Sequence, residues 1–375
     1  MTSLRSALKS ATALAAFSLS FPLASWAEEP LPVVATFSIL GDMVERIGGE
    51  HIALTTLVGP DGDAHVYQPT PKVARSVAEA DVLFLNGLEF EGWLERLAEA
   101  ASFGGAMVVA TKGVVPIAFD DHDEHDDHDD HDEHDDHDDH AEHDDHDDHD
   151  KHDDHDDHAD HDDHDDHEKH DDHDDHDDHD DHDEHDEHDD HDDHAGHDHG
   201  AFDPHAWQSL ENAVIYANNI AAGLAQADPE NAGDYYANRA AFITEVETLR
   251  ADIGAMMKSL PADKRTVVTP HDAFGYFAAT YDLTFVAPQG MSTDSEVSAA
   301  DVAALITQIR EESISAVFIE SITDNRMMQQ IANETGATIG GTLYSDALSA
   351  QSGPASTYLD MMRHNATTLF DALGN

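Results

Sequence analysis

The sequence predicts an α/β fold of two lobes, each a parallel sheet flanked by helices. A long rigid helix joins the lobes, and a disordered His/Asp-rich insertion interrupts the first one. Three observations lead to this prediction. Strand-like and helix-like runs alternate on both sides of the insertion, which is typical of a parallel sheet covered on both faces. One long helical run separates the two groups. The tract at 120–200 has almost no apolar side chains.

The first 27 residues have the pattern of a secretory signal peptide. Arg5 and Lys9 precede an apolar run at 11–23, and residues 25–27 form a small-x-small cleavage site. The apolar run is short for a membrane span. The chain has no cysteine, so we expect neither disulfides nor an acceptor for a lipid anchor. The sequence therefore predicts a soluble, exported protein, most simply in a periplasm, with the signal peptide cleaved.

The first lobe is predicted at 28–233, with 120–200 inserted into it. Apolar β-branched runs indicate its strands, and amphipathic periodicity, broken near Gly48 and Gly49, indicates its helices. The predicted strands lie at 32–37, 52–58, 81–85 and 107–111, and the helices at 39–47, 72–80, 92–101 and 211–227.

The linking helix is predicted at 234–260, where Pro261 stops it, and the second lobe at 261–375. The same alternation of strands and helices resumes in this lobe. Its predicted strands lie at 266–269, 283–287, 316–320 and 337–343, and its helices at 273–281, 299–312, 324–335 and 357–373.

The tract carries a histidine at every third position from His122 to His197, and aspartates fill nearly all the gaps. It holds 27 of the 32 histidines and 47 of the 82 acidic residues of the chain. Such a composition cannot bury enough apolar surface to offset the entropy of ordering. Imidazole and carboxylate groups bind borderline divalent metals, so we interpret 120–200 as a flexible, low-affinity metal-binding loop. The alternative is a solvated acidic spacer.

The formal net charge of −65 disfavours binding to nucleic acid or to anionic membranes and favours binding of cations. Three histidines outside the tract lie at predicted strand-to-helix junctions: His65, His205 and His271. Any one of these histidines, taken alone, could simply stabilise a turn or cap a helix. Together, in a chain rich in metal-binding residues, they predict a metal site in a cleft between the lobes. Zinc prefers four nitrogen or oxygen ligands. Asp346, after the last strand, is the expected fourth ligand, with a water molecule or a helix-capping role as alternatives.

Four segments carry a resemblance to the ZnuA/TroA-like solute-binding proteins. They are His-Val-Tyr-Gln-Pro from His65, Asp-Pro-His-Ala-Trp around His205, His-Asp-Ala-Phe-Gly-Tyr from His271 and Tyr-Ser-Asp-Ala-Leu around Asp346. The resemblance extends from about Val33 to the C-terminus outside the tract. It implies a periplasmic receptor that captures a metal ion for the membrane permease of an ABC importer, with these four residues as ligands.

Zinc (Zn²⁺) is the metal that the resemblance and the donor types favour, as transported ligand. Some zinc receptors of this kind have an acidic residue where this chain has Ala64, which makes Asp346 the expected fourth ligand. Manganese and iron receptors commonly have a carboxylate at the position of His271. Three imidazoles and one carboxylate suit zinc better than manganese. Glu320, at a predicted strand end, is expected to be structural, with support of a ligand as the alternative.

Other functions stay open at this stage. A receptor for manganese or another divalent metal would use the same fold, a secreted zinc hydrolase would keep one coordination position for water, and a metal buffer or adhesin would use the lobes as a scaffold. We expect a zinc receptor without enzymatic activity that acts as a monomer.

Overall fold

A computed structural model describes residues 29–118, 201–295 and 297–374. The predicted signal peptide at 1–27 and the predicted loop at 120–200 lie entirely outside these residues. Two parallel four-stranded sheets flanked by helices form the described part. The α/β prediction of two lobes with parallel sheets is therefore confirmed.

The first lobe contains a sheet with strand order β2-β1-β3-β4. All its strand pairs are parallel, so the carboxyl ends of all four strands lie at the same edge of the sheet. Its elements are β1 (Leu31–Phe37), α1 (Ser38–Gly48), β2 (Ile52–Val58), α2 (Pro71–Ala78), β3 (Val82–Leu85), α3 (Leu94–Ala101), β4 (Ala106–Val109) and α4 (Leu210–Ala227).

The second sheet has the equivalent strand order, β6-β5-β7-β8, and is also parallel. Helix α5 (Ala232–Lys258) precedes it. The remaining elements are β5 (Thr266–Val268), α6 (Gly275–Tyr281), β6 (Thr284–Val286), α7 (Ala299–Glu311), β7 (Ala316–Glu320), α8 (Arg326–Thr335), β8 (Thr338–Leu343) and α9 (Tyr358–Leu373).

Local capping explains where several helices begin. Thr70, Ser209, Ser298 and Thr357 each accept a backbone N–H bond from the first turn of the helix that follows, which satisfies donors that have no intrahelical partner. Pro71 occupies the first turn of α2, where a missing N–H is harmless. The starts of these helices follow from the sequence.

Most element ends differ from the prediction by one or two residues, and two of these differences have a visible cause. Helix α3 starts at Leu94 instead of 92, because residues 91–93 form a turn in which the Leu94 N–H bonds back only three residues, to the carbonyl of Glu91. Helix α5 ends at Lys258 instead of 260. The N–H groups of Ser259 and Leu260 bond back only three residues, which tightens the last turn beyond helical geometry.

Helix α5 packs against α1 and α4 of the first lobe and against α6 and α9 of the second. Its buried side chains include Tyr235, Phe242 and Val246, and the main hydrophobic core continues through them from one lobe to the other. A smaller core lies between β5, β7, α7 and α8. The contacts on both lobes are consistent with a linking role for α5, and its rigidity stays a prediction.

Replacement of Phe242 tests how much α5 contributes to the fold. Phe242 is buried beside Tyr358 and under the guanidinium of Arg46. Phe242→Ala should lower the free energy of unfolding by about 3–5 kcal/mol, because it removes buried surface and leaves a cavity. Chemical denaturation measures this change. Tyr236→Ala, at an exposed position of the same helix, should change stability by about 0.5 kcal/mol or less, and equal effects of both variants would contradict the prediction.

Candidate metal centre

Four predicted ligand residues converge at one place. His65 follows β2, His205 precedes α4, His271 follows β5 and Asp346 follows β8. Each therefore lies on a segment next to the carboxyl end of a strand or the start of a helix, where parallel sheets place their functional groups. One potential ligand atom from each residue lies within 4.8 Å of the others. In the part of the chain that the structure describes, this is the only such cluster of histidine, aspartate and glutamate residues.

The carboxylate of Asp346 lies at the middle of the cluster. Its oxygens lie 3.2 Å from His65 Nε2, 3.6 Å from His205 Nε2 and 3.1 Å from His271 Nε2. A tetrahedral ion with bonds of about 2.0–2.1 Å separates its ligand atoms by about 3.3–3.4 Å. The three distances from Asp346 are close to this edge length, whereas separations within the full set of four ligand atoms extend to 4.8 Å.

Several potential ligand atoms of the cluster are buried and lack a hydrogen-bond partner. His205, His271 and Asp346 are fully buried. Among the described residues, His65 Nε2, His205 Nε2 and Asp346 Oδ1 are buried without a hydrogen-bond partner. Buried polar atoms usually have partners, and each exception calls for an explanation such as an ion. The arrangement can therefore supply electron pairs to a small cation.

Carboxylates contact the opposite ring nitrogens of two of these histidines. Asp203 Oδ1 lies 2.8 Å from His205 Nδ1 and accepts the backbone N–H of the same residue. Glu320 Oε2 lies 2.6 Å from His271 Nδ1, and Ser345 Oγ donates to that oxygen at 2.6 Å. A carboxylate at Nδ1 orients the ring and leaves the lone pair of Nε2 directed toward the centre of the cluster, where it can bind a metal ion.

The sequence interpretation missed part of this support. For Glu320 the sequence favours a structural role, with support of a ligand as the alternative, and the carboxylate contacts the His271 ring directly. Asp203 and Asp63 were not singled out. Both belong to an Asp-x-His pattern, and each accepts the N–H of the histidine two residues later. Aspartate often accepts a backbone N–H two residues later. Because this spacing recurs throughout the tract, it was a usable signal only outside the tract, at His65 and His205.

Aromatic rings pack against two histidines of the cluster. The ring of Phe90 lies 4.8 Å from that of His65, and the ring of Trp207 lies 5.3 Å from that of His205, centre to centre. Trp207 Nε1 donates to the carbonyl of Ser345 at 2.9 Å. This bond joins the segment that carries His205 to the segment that carries Asp346. The two other described histidines, His51 and His364, lie elsewhere, against Asp234 and the carbonyl of Thr342.

Opposite charges shift the pKa values inside the cluster. Burial lowers the pKa of His271, but the Glu320 and Asp346 carboxylates outweigh it, so the pKa is raised well above its ordinary value. Burial also lowers the pKa of His205, but the Asp346 and Asp203 carboxylates outweigh it, so this pKa is raised as well. Burial raises the pKa of Asp346, yet His271 and His205 hold it well below its usual range. The cluster therefore favours imidazolium next to carboxylate.

The comparisons with known proteins identify the family. The family model described as "ZnuA: Zinc-uptake complex component A periplasmic" matches residues 33–372. The chain belongs to the ZnuA family. It is a metal-binding component of an ABC importer that acts outside the cytoplasm together with a membrane permease, and proteins of this family are substrate-binding proteins rather than enzymes. The resemblance read from the four motifs is confirmed.

Curated relatives of this ZnuA-family chain differ in the metal that their names give. The manganese-binding lipoprotein MntA of Halalkalibacterium halodurans is 25% identical over 346 residues, which cover 92% of this chain and 89% of MntA. The iron-binding protein YfeA of Yersinia pestis is 26% identical over 342 residues, covering 91% of this chain and 86% of YfeA. Family membership thus leaves the choice of metal to the site itself.

Solved structures agree with the fold. The Mn-bound S38A mutant of a periplasmic metal binding protein from Candidatus Liberibacter asiaticus has a TM-score of 0.66 and 26% identity, covering 91% of this chain and 98% of its own. The periplasmic zinc binding protein TroA from Treponema pallidum has a TM-score of 0.68 at 22% identity, covering 92% and 99%. Among the described residues, no helix combines the length and apolar character needed to cross a membrane.

The charge of Glu320 can be tested without metal. Because the pKa of His271 is raised in the folded state, the ion pair stabilises the fold below the unfolded pKa of about 6.5, and this contribution is lost as the pH rises through the raised value. Glu320→Gln should therefore cost about 1.5–3 kcal/mol at low pH and less at high pH. Denaturation in chelator from pH 6 to 9 measures the difference from wild type. Ser345→Ala removes a hydroxyl without a charge, so its cost should not vary with pH in the same way, and a Glu320→Gln cost independent of pH would contradict the ion pair.

Proposed function

We propose that this protein is a high-affinity zinc receptor of the periplasm that delivers Zn²⁺ to an ABC-type importer. The observation that carries the proposal is the convergence of His65, His205, His271 and Asp346, whose ligand atoms lie within 4.8 Å of one another. In this proposal the four residues bind one zinc ion as cargo, and Asp346 takes the fourth position instead of water. Three imidazole nitrogens and one carboxylate match the ligands that zinc prefers.

Burial supports the proposal of a tight site. The carboxylate and the His205 and His271 rings are withdrawn from solvent, so they lose little hydration when a cation replaces the protons between them. The negative charges of Asp346, Glu320 and Asp203 surround three neutral rings once those protons leave. A divalent cation then balances charges that would otherwise repel each other. Zinc binding should accordingly release protons and weaken as the pH falls.

Manganese is the second candidate, because the names of relatives include manganese-binding and iron-binding proteins. Manganese favours oxygen-rich coordination with more than four ligands. The described cluster offers three nitrogen donors, which argues for zinc. A secreted zinc hydrolase would need an open position for a water molecule and a nearby base. We propose that Asp346 occupies that position, so that the protein serves transport rather than catalysis.

Export and assembly complete the proposal. We propose that residues 1–27 act as a cleaved signal peptide, since a charged start, a short apolar run and a small-x-small site follow one another there. Several relatives are named lipoproteins, but this chain has no cysteine to carry a lipid. We also propose that the mature protein works as a monomer, with lobes at 28–233 and 261–375 and the linker at 234–260.

The tract at 120–200 has an auxiliary role in this proposal. Its alternating histidines and carboxylates offer many weak zinc sites, each of which must displace protons before it binds. Metal held there stays at a high effective concentration near the cleft because both belong to one chain. The tract therefore collects zinc and speeds loading of the cleft, while the cleft sets the affinity.

Deletion of 120–200 tests the division of labour between tract and cleft. Ala118 and Phe202 form an antiparallel bridge, so a short glycine-serine linker can join the ends. The shortened protein should keep one tight zinc site and load more slowly when zinc is scarce, and the difference should fade as the pH falls below about 6.5. Calorimetry measures the affinity and stopped-flow mixing measures the rate. The matched control keeps the full tract with its histidines changed to asparagine.

Loss of the single tight site on deletion would contradict the cleft assignment. Equal loading rates for the wild type, the shortened protein and the asparagine control would reduce the tract to a spacer.

Replacement of His271 by glutamate tests the choice of metal. His271→Glu exchanges a nitrogen donor for an oxygen donor, so the ratio of zinc affinity to manganese affinity should fall by roughly tenfold or more. Competition titrations with both metals measure this ratio. His364→Glu, outside the cluster and next to the carbonyl of Thr342, is the control and should leave the ratio unchanged. An unchanged ratio in His271→Glu would mean that His271 is not a ligand.

A further inference from the structure

His65 differs from the other two histidines of the cluster in how it is supported. A carboxylate lies against Nδ1 of His205 and of His271, whereas the Asp63 carboxylate accepts the backbone N–H of His65, at 2.9 Å. His65 is also only partly buried, while the other two are fully buried. The position of His65 therefore depends mainly on its loop, residues 59–65.

This loop is bonded to the second lobe on one side through Asp63. The two carboxylate oxygens of Asp63 accept different donors: Oδ1 accepts the His65 N–H, and Oδ2 accepts the hydroxyl of Thr293 at 2.6 Å. Thr293 belongs to the segment between β6 and α7. One side chain thus joins the backbone of His65 to the opposite lobe.

The segment that carries Thr293 is itself linked to His271. Gln289 Nε2 donates to the carbonyls of Thr293 and Ser295, at 2.9 and 2.7 Å, and Gln289 forms a parallel bridge with His271. The contact between Thr293 and Asp63 therefore closes a path of bonds from His271 in one lobe to His65 in the other.

On its other side, the loop is bonded to the segment after Asp346. The N–H of Asp61 donates to the carbonyl of Leu348 at 2.8 Å, and Asp61 Oδ2 accepts the N–H of Ala350 at 3.2 Å. Asp61 has a φ of 57°, a left-handed conformation that is unfavourable for most residues and persists where the surroundings hold it. These bonds hold the loop against the segment that carries Asp346.

We propose that Asp63 and Thr293 form an interlobe clasp that positions His65 and sets how long the protein retains its metal. The proposal rests on the proposed zinc function. With the clasp closed, His65 is held against Asp346 from both sides of its loop. When the bond between Thr293 and Asp63 opens, His65 is the ligand that is freest to move away, because His205 and His271 keep their carboxylate partners. Thr293 is thus a positioning residue that acts on the metal through Asp63 and His65.

Thr293→Val in the full-length protein is the test, because valine keeps the shape of threonine and removes the hydroxyl. Loss of a hydrogen bond to a charged group should speed zinc release roughly tenfold. Thr293→Ser, which retains the hydroxyl, should restore a rate close to that of wild type. Zinc release into excess chelator, followed by stopped-flow, measures these rates, and circular dichroism checks that each variant is folded.

Two further variants separate a positioning role from a general loss of stability. Thr307→Val is the matched control, since the Thr307 hydroxyl bonds within its own helix to the carbonyl of Ala303, and its release rate should equal that of wild type. Asp63→Ala should speed release, and adding Thr293→Val to it should cause little further change because both remove the same contact.

Equal release rates for wild type, Thr293→Val and Thr293→Ser would overturn the clasp while leaving the zinc function intact. Additive effects of Thr293→Val and Asp63→Ala would also overturn it. A wild type that holds no tight zinc would instead overturn the proposed function, before any variant is compared.

Discussion

The attraction between one buried carboxylate and three imidazole rings organises the centre of this molecule. Asp346 is fully buried, and its oxygens lie 3.1–3.6 Å from the Nε2 atoms of His65, His205 and His271. A lone charge at this depth would be costly. The cluster resolves that cost by placing groups there that share protons or a cation. The rest of the architecture serves to bring these four side chains to one point.

Parallel sheets make such convergence simple. The two sheets have equivalent strand orders, β2-β1-β3-β4 and β6-β5-β7-β8. In each sheet the carboxyl ends of the parallel strands lie at one edge, where the loops that follow them can carry functional groups. The loops after β2 and β5 carry His65 and His271, and the segment after β8 carries Asp346. The continuous core reaches Ala64, Phe90 and Trp207, next to His65 and His205, and α5 packs against helices of both lobes.

The three histidines of the cluster are held in place by different contacts, and this difference bears on how a carrier can release its cargo. Two rings are fixed by carboxylates, whereas the third depends on hydrogen bonds that cross between lobes. A receptor must bind its cargo tightly and still release it to a permease. In the receptor that we propose, the contacts around His65 are the ones that open on release, while His205 and His271 keep their carboxylate partners.

The sequence by itself determined the α/β class, nearly every strand and helix, and the four residues that come together, because periodicity, capping residues and motifs are local properties of the chain. The Asp-x-His pattern was equally local, and outside the tract, where it occurs only at His65 and His205, it could have identified Asp63 and Asp203. The tertiary structure decided the rest. Glu320 contacts the His271 ring, and Thr293 donates to Asp63 of the other lobe. Several side-chain atoms of the cluster are buried without hydrogen-bond partners among the described residues. All of these features depend on distances between segments far apart in sequence. Such distances are set by how the two sheets and α5 pack, and no local pattern records them.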